Sequence, residues 1–243
     1  MSCWMVFLIA LESGFNLWTF ILAILFTFLF YFYENRRSEP FINVHFLCKN
    51  LNITFIYVQY ILATFVFFAL LLAMPTYFQS VLKLDPKTSG FMMLSISVFA
   101  MMMTPIATRW TERVGFRVPL LFGAISGILS VSLLLTTNQT SPLFWLFIIL
   151  AVLGISNGAL SIGTQNLLYS IVTKEQSGIS SGLLMTSRFI GNILASSLFG
   201  IVFAAGINDA SKNSMTIVLV IVSVLMIPSL LYITKNKPAQ SEQ

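Results

Sequence analysis

The feature that most constrains this chain is a series of long apolar stretches almost free of charged residues. They run over positions 15–32, 51–79, 90–108, 119–136, 143–170, 178–205 and 215–233. A helix needs about 20 mostly apolar residues to cross the roughly 30 Å hydrocarbon core of a bilayer. The pattern therefore predicts that each of these stretches spans a membrane as an α-helix.

A shorter apolar stretch occupies positions 1–11. A signal peptide is one interpretation, but the segment lacks a basic start and a convincing small-residue cleavage site. A truncated transmembrane helix accounts for it better, so we expect one partial helix before the full ones.

The composition excludes an ordinary water-soluble domain. Hydrophobic residues make up 57% of the chain and charged residues 9%, against about 25% charged residues in an average soluble domain. The basic residues are scattered through short segments, which does not indicate a nucleic-acid surface. Cys3 and Cys48 are too few for a disulfide framework.

No catalytic pattern stands out in the sequence. We find no Ser/His/Asp cluster, HExxH motif, Cys/His metal spacing or phosphate loop, and His45 lies alone outside the apolar stretches. We therefore expect a protein that is not an enzyme and that uses no cofactor or metal.

The segments between the stretches predict orientation, because Lys and Arg near helix ends resist translocation. One alternate set carries Arg36, Arg37, Lys49, Arg109, Arg113, Arg117, Lys174, Lys235 and Lys237, and the other carries Lys83, Lys87 and Lys212. The more basic set is predicted to be cytoplasmic, which places the C-terminus on that side of the cell membrane.

Residues 108–117, TRWTERVGFR, predict a tight turn between two helix ends in which Gly115 adopts a positive φ. Glu112, Arg113 and Arg117 are able to form an ion-pair latch that breaks when helices move, and a simple positive-inside turn is the alternative. The spacing resembles the cytoplasmic loop signature of the major facilitator superfamily, Gly-x-x-x-Asp-Arg-x-Gly-Arg-Arg. Thr108 replaces its first Gly and Phe116 one Arg.

Two further segments resemble one branch of that superfamily, the fourteen-span drug:proton antiporters. Residues 174–182, KEQSGISSG, with Arg188, Gly191 and Asn192, are similar to their penultimate helix. Residues 34–42 are similar to the basic turn between their extra central helices and their C-terminal bundle.

The resemblance implies an all-α integral membrane protein with a C-terminal six-helix bundle, preceded by one full and one partial extra transmembrane helix. It assigns residues 1–33 to the remnant of the central two-helix linker and 34–50 to a cytoplasmic connector. Residues 51–234 then form the six-helix half and 235–243 a cytoplasmic tail. The N-terminal six helices, with their main loop signature and Gly-Pro motif, are absent from the chain.

The six stretches of the bundle differ in how many small and polar residues they contain. Those starting at 119 and 215 are almost uniformly aliphatic and are predicted to face lipid. Glycines at helix-packing spacing are predicted to let helices approach closely, and they are Gly154, Gly158, Gly163, Gly191 and Gly200. Four amides either line a wet cavity or bond across helices, and they are Asn157, Gln165, Asn166 and Asn192.

Further polar positions lie in the stretches from 51 and 178. Tyr57, Gln59 and Tyr60 are candidates for cavity lining, and Pro75 is predicted to kink its helix. Arg188 is placed about 15 Å deep, where a charge costs roughly 2.5 to 3.5 kcal/mol. It should therefore face protein or water, or else snorkel to the headgroups.

The resemblance implies proton-coupled efflux of lipophilic or cationic drugs by alternating access, with lipid, protons and drug-like molecules as partners. Between positions 51 and 233 we identify no acidic residue inside a stretch to carry the coupling proton. We therefore expect the chain to be truncated and inactive alone. The alternative is a non-transporting membrane interaction protein, or a half-transporter that needs a partner half.

Overall fold

The computed structural model describes residues 51–172, 176–204 and 206–235. In this part of the chain the regular structure is entirely α-helical. The predictions for 1–50, for 173–175 and for 236–243 lie outside the described residues. The six helices are α1 (Leu51–Ser80), α2 (Pro86–Val114), α3 (Arg117–Leu134), α4 (Leu143–Tyr169), α5 (Ser177–Phe203) and α6 (Asp209–Lys235).

All six helices are long and apolar enough to cross a membrane. This confirms the prediction of an all-α integral membrane fold for the described part of the chain. Helix α1 continues through Pro75 for five more residues.

Helix α2 is longer than predicted, and its polar ends explain why. Asp85 caps its first turn, because its Oδ2 accepts a hydrogen bond from the Thr88 backbone N–H at 3.2 Å. Pro86 follows at the first helical position, where a missing N–H costs nothing. At the other end, the prediction that Glu112 and Arg113 lie in a loop is wrong, because α2 continues to Val114.

Helix α6 also begins earlier than predicted. The Asn208 Oδ1 atom accepts a hydrogen bond from the Ser211 N–H at 2.8 Å, and the Asn208 N–H donates to Ser211 Oγ at 3.0 Å. This reciprocal cap starts a helix among polar residues. The assignment of Lys212 to a loop is therefore wrong, because it lies within the first turns of α6.

Helix α4 is the most buried of the six described helices, since 56% of its most apolar 18-residue segment is buried. It packs against α1, α2 and α3. Helix α1 also packs against α5 and α6, and α3 packs against α6. We call the end with the α1–α2, α3–α4 and α5–α6 links the upper end. The opposite end, with the α2–α3 link, is the lower end.

The middle parts of α3 and α6 expose only apolar side chains. Exposed residues include Phe122, Ile125 and Leu129 on α3, and Ile217 and Ile221 on α6. Both helices pack inward through their opposite faces. Their surfaces are therefore of the kind expected to face lipid.

Candidate functional site

The turn between α2 and α3 consists of Gly115 and Phe116. Gly115 has a φ of 86° and its N–H donates to the Thr111 carbonyl oxygen at 3.1 Å. This left-handed φ confirms the conformation predicted from the sequence. Glycine suits it because a Cβ disfavours this region of backbone space.

Glu112, Arg113 and Arg117 surround this turn and are all exposed. None makes an ion pair with another residue in the described ranges. The Thr108 hydroxyl, at the position of the signature's first glycine, donates to Thr104 O at 3.0 Å within α2. Within the described ranges, the structure therefore shows no ion-pair latch among the charged groups of the turn.

Trp110 and Phe122 brace the two helices that flank the turn. Their rings form an edge-to-face pair with centroids 5.2 Å apart and an interplanar angle of 89°. Such a pair contributes about 0.5 to 1.5 kcal/mol beyond burial. Sequence reasoning missed this contact, because a Trp beside charged residues and a Phe in an aliphatic stretch give no signal of pairing.

Gly154 and Gly158 place α4 directly against α2. A Cβ at Gly154 would overlap the carbonyl oxygen of Ile96, and one at Gly158 would lie 2.6 Å from that of Ala100. The four-residue spacing puts both glycines on one face of α4. Small residues at such a crossing allow helices to associate by close packing in lipid.

Gly163 and Gly191 occupy two other helix contacts. Gly163 faces Leu120 of α3, and Gly191 faces the Thr64 hydroxyl and the Ile61 carbonyl of α1. Gly200 is different, because it is exposed and a Cβ there would meet no atom within 4 Å. Within the described residues, the structure thus places four of the five candidate glycines at contacts and leaves Gly200 on an open surface.

Two polar side chains of α1 bond across helices near the lower end. The Tyr57 hydroxyl donates to the Ser180 carbonyl of α5 at 3.3 Å. Gln59 is 1% exposed, and its Oε1 accepts a hydrogen bond from Ser229 Oγ of α6 at 2.5 Å. Both residues therefore connect helices.

Tyr60 and Asn157 line a small, partly open cavity between α1, α3, α4 and α6. Its volume is about 30 Å³, and its other polar lining residues include Thr64, Ser156 and Ser223. A cavity of this size that offers polar partners has room for about one or two water molecules. It is too small for a drug-sized molecule, so it does not form a substrate site by itself.

Gln165, Asn166 and Asn192 are partly exposed, and their side chains form no hydrogen bond with another described residue. Arg188 is exposed on α5 and lies near enough to the Tyr60 hydroxyl for an electrostatic interaction. Within the described residues, none of these three amides makes the cross-helix hydrogen bond that was one of their two interpretations.

The structure also brings together polar groups that sequence reasoning did not select. Ser130 of α3 donates to the Ile149 carbonyl of α4 at 2.9 Å, and Ser156 of α4 donates to the Gly123 carbonyl of α3 at 2.6 Å. At the upper end, Lys212 is 1% exposed and Tyr77 is fully buried. The Asn208 and Ser211 cap was the available sequence signal that Lys212 belongs to a helix.

The described residues include no group of three or more His, Cys, Asp or Glu that could hold a metal ion. Within the described residues, the candidate features are close helix crossings and a charged turn.

Comparison with known proteins gives the chain a family. The family model of the Major Facilitator Superfamily matches residues 4–196 and 56–243. The chain is 30% identical over 204 residues to the uncharacterized MFS-type transporter YwoD of Bacillus subtilis. The aligned region covers 83% of the chain and 44% of YwoD.

Two further relatives show the same partial coverage. The uncharacterized MFS-type transporter YvkA of Bacillus subtilis is 28% identical, over 75% of the chain and 41% of YvkA. Multidrug resistance protein Stp of Mycobacterium tuberculosis is 24% identical, over 73% of the chain and 33% of Stp. The chain thus spans less than half the length of these relatives, and it belongs to the Major Facilitator Superfamily of membrane transporters.

Proposed function

We propose that the chain supplies the C-terminal six-helix half of a multidrug efflux transporter of the fourteen-span drug:proton antiporter branch. The complete transporter would sit in the cell membrane with the C-terminus in the cytoplasm. It would export lipophilic or cationic compounds by alternating access, in which two halves rock around a central site. Proton entry would drive export, and the name of the relative Stp supports drugs as the substrate class.

One observation carries this proposal, namely the polar stripe on α5. This helix is the least buried of the six described helices, because only 17% of its most apolar 18-residue segment is buried. Arg188, Asn192 and Ser196 nevertheless recur every four residues along one side, and all are at least partly exposed. A charge in hydrocarbon is costly, so this side suits a wet cavity or a partner half.

The same observation explains why we propose that the chain is inactive alone. An alternating-access transporter encloses its substrate between two halves. The described bundle offers one such surface, and the cavity beside Tyr60 and Asn157 has a volume of only about 30 Å³. The missing surface, and a carboxylate for proton coupling, would come from an N-terminal half.

Dye efflux from bacteria that lack their own drug pumps tests the proposal. The chain is expressed alone and together with the N-terminal portion of YwoD, and ethidium efflux is measured with and without a protonophore. We expect efflux only from the pair and only with an intact proton gradient. Efflux from the chain alone contradicts the need for a partner half, and efflux that survives the protonophore contradicts proton coupling. No efflux from the pair contradicts the transport proposal.

A second candidate function is a non-transporting interaction protein, which the open polar stripe also favours. Ser196→Cys in a Cys3→Ser, Cys48→Ser background distinguishes the two by crosslinking. A dimer from the chain alone indicates self-pairing, whereas a crosslink only with an N-terminal half indicates a split transporter. Ile221→Cys, on the apolar face of α6, is the matched control and should crosslink in neither case.

A further inference from the structure

Lys212 is a buried basic residue that the proposed function does not use. It lies in the first turns of α6 and is 1% exposed. Its Nζ donates to Thr137 Oγ1 at 2.9 Å, to the Thr137 carbonyl and to the Leu134 carbonyl at 3.4 Å. A buried ammonium is stable only when its donors are satisfied in this way.

The oxygens around Lys212 come from the C-terminal end of α3. Helix α3 ends at Leu134, so its last carbonyls have no partner inside the helix. The same end carries the negative pole of the helix dipole. Lys212 therefore binds α6 to α3 through both hydrogen bonds and charge.

Tyr77 brings α1 into the same cluster. The Lys212 Nζ lies 5.2 Å from the centroid of the Tyr77 ring, within the range of a cation–π interaction. The Tyr77 hydroxyl donates to Asp209 Oδ1 of α6 at 2.5 Å. Hydrogen bonds to an ionised acceptor are the stronger class, so this bond fastens α1 to α6.

Pro75 precedes Tyr77 by two residues in α1. Proline has no backbone N–H and removes one helical hydrogen bond, which makes this the position where α1 bends most easily. The segment from Thr76 to Ser80 lies beyond that position. The bond from Tyr77 to Asp209 therefore anchors to α6 the segment that follows this weakest point of α1.

We propose that Lys212, Thr137, Tyr77 and Asp209 form an ammonium-centred latch at the upper end of the bundle. The latch holds the segment of α1 beyond Pro75 against α3 and α6, and it sets how often this end opens. Its use in alternating access rests on the function proposed above. The latch itself is a property of this chain and is tested without any transport measurement.

Amide hydrogen exchange in nanodiscs reports the opening directly. The Val81 N–H donates to the Tyr77 carbonyl at 2.9 Å, and the Leu84 N–H donates to the Phe78 carbonyl at 3.0 Å. Both amides are protected only while the end of α1 is folded in place. We expect Tyr77→Phe to raise their exchange rate roughly tenfold, as the loss of a hydrogen bond to a charged group predicts.

Tyr57→Phe is the matched control for that measurement. It removes a tyrosine hydroxyl from the same helix at the lower end, where the hydroxyl donates to the Ser180 carbonyl. Exchange at Val81 and Leu84 should stay within about twofold of the original chain, since the two ends are more than 20 residues apart. Equal exchange in Tyr77→Phe and Tyr57→Phe overturns the latch.

Chemical rescue distinguishes the effect of the Lys212 charge on exchange from the effect of its side-chain volume. Lys212→Ala should accelerate exchange at the upper end, and added propylammonium should restore protection by occupying the vacated site. Lys212→Met fills the same space without charge and should exchange fast with or without propylammonium. Protection in Lys212→Met, or no rescue of Lys212→Ala, overturns the role of the ammonium.

The outcomes for the latch and for transport are independent. Faster exchange in Tyr77→Phe together with no efflux from the paired halves supports the latch and contradicts the transport proposal. Unchanged exchange together with efflux contradicts the latch and leaves transport supported.

Discussion

Gly191 of α5 lies so close to Thr64 of α1 that a Cβ at position 191 would overlap the Thr64 hydroxyl oxygen. The Thr64 hydroxyl is turned back along its own helix and donates to the Tyr60 carbonyl at 2.8 Å. The α1–α5 contact is therefore made by backbone and a small side chain. This contact also fixes which side of α5 remains open.

Gly191→Ala is predicted to destabilise the bundle by about 1 to 3 kcal/mol, because the added methyl group forces α1 and α5 apart. Gly200→Ala, on the same helix, should be neutral or slightly stabilising, since a Cβ there meets no atom within 4 Å and Ala favours helix. Unfolding of both variants in detergent, followed by circular dichroism, measures the difference. Equal stability of the two variants would contradict the close contact.

Gly115→Ala is predicted to cost about 1 to 2 kcal/mol, because a φ of 86° is unfavourable for a residue with a Cβ. Gly90→Ala is the control, since Gly90 lies inside α2 with open space around it. It should stabilise the helix by up to about 1 kcal/mol. The same unfolding measurement compares the two variants. An unchanged free energy of unfolding in Gly115→Ala would show that the turn adopts another conformation.

The sequence was sufficient to predict six helices of the bundle, because the thickness of a bilayer sets a minimum length for an apolar stretch. It was less informative about helix ends. Lys212 and Glu112 lie in helices that continue beyond their apolar stretches. Capping groups such as Asp85 and Asn208 determine those ends, and hydropathy does not register them.

The candidate polar residues were recognised as a set, but their roles were not separable. Gln59 and Asn157 are both amides in apolar stretches, yet Gln59 is buried between two helices and Asn157 lines a cavity. The difference depends on helix rotation, which the sequence constrains weakly when all faces of a helix are apolar. The same rotation separates Gly191, at a contact, from Gly200, on the surface.

Ser229→Ala is predicted to destabilise the bundle by about 1 to 3 kcal/mol, because it leaves the buried Gln59 amide without a partner. The Gln59 Nε2 atom already lacks one among the described residues. Gln59→Leu should therefore be neutral or stabilising, since it removes that unsatisfied donor while Ser229 still donates to the Met226 carbonyl at 2.8 Å. The free energies of unfolding of both variants test this, and the reverse order would contradict the buried Gln59–Ser229 bond.

Arg188→Cys is predicted to react with a charged, water-soluble thiol reagent roughly tenfold faster than Ile221→Cys, because the reacting thiolate forms only in contact with water. Both positions are exposed and lie about 16 to 18 Å along their helices, so they are matched in depth. The rates are measured in nanodiscs, in a background without Cys3 and Cys48. Equally slow labelling would place the α5 stripe in lipid and would contradict the proposed wet or partner-facing surface. Fast labelling at Arg188 that disappears on co-expression with an N-terminal half would support a stripe covered by that partner.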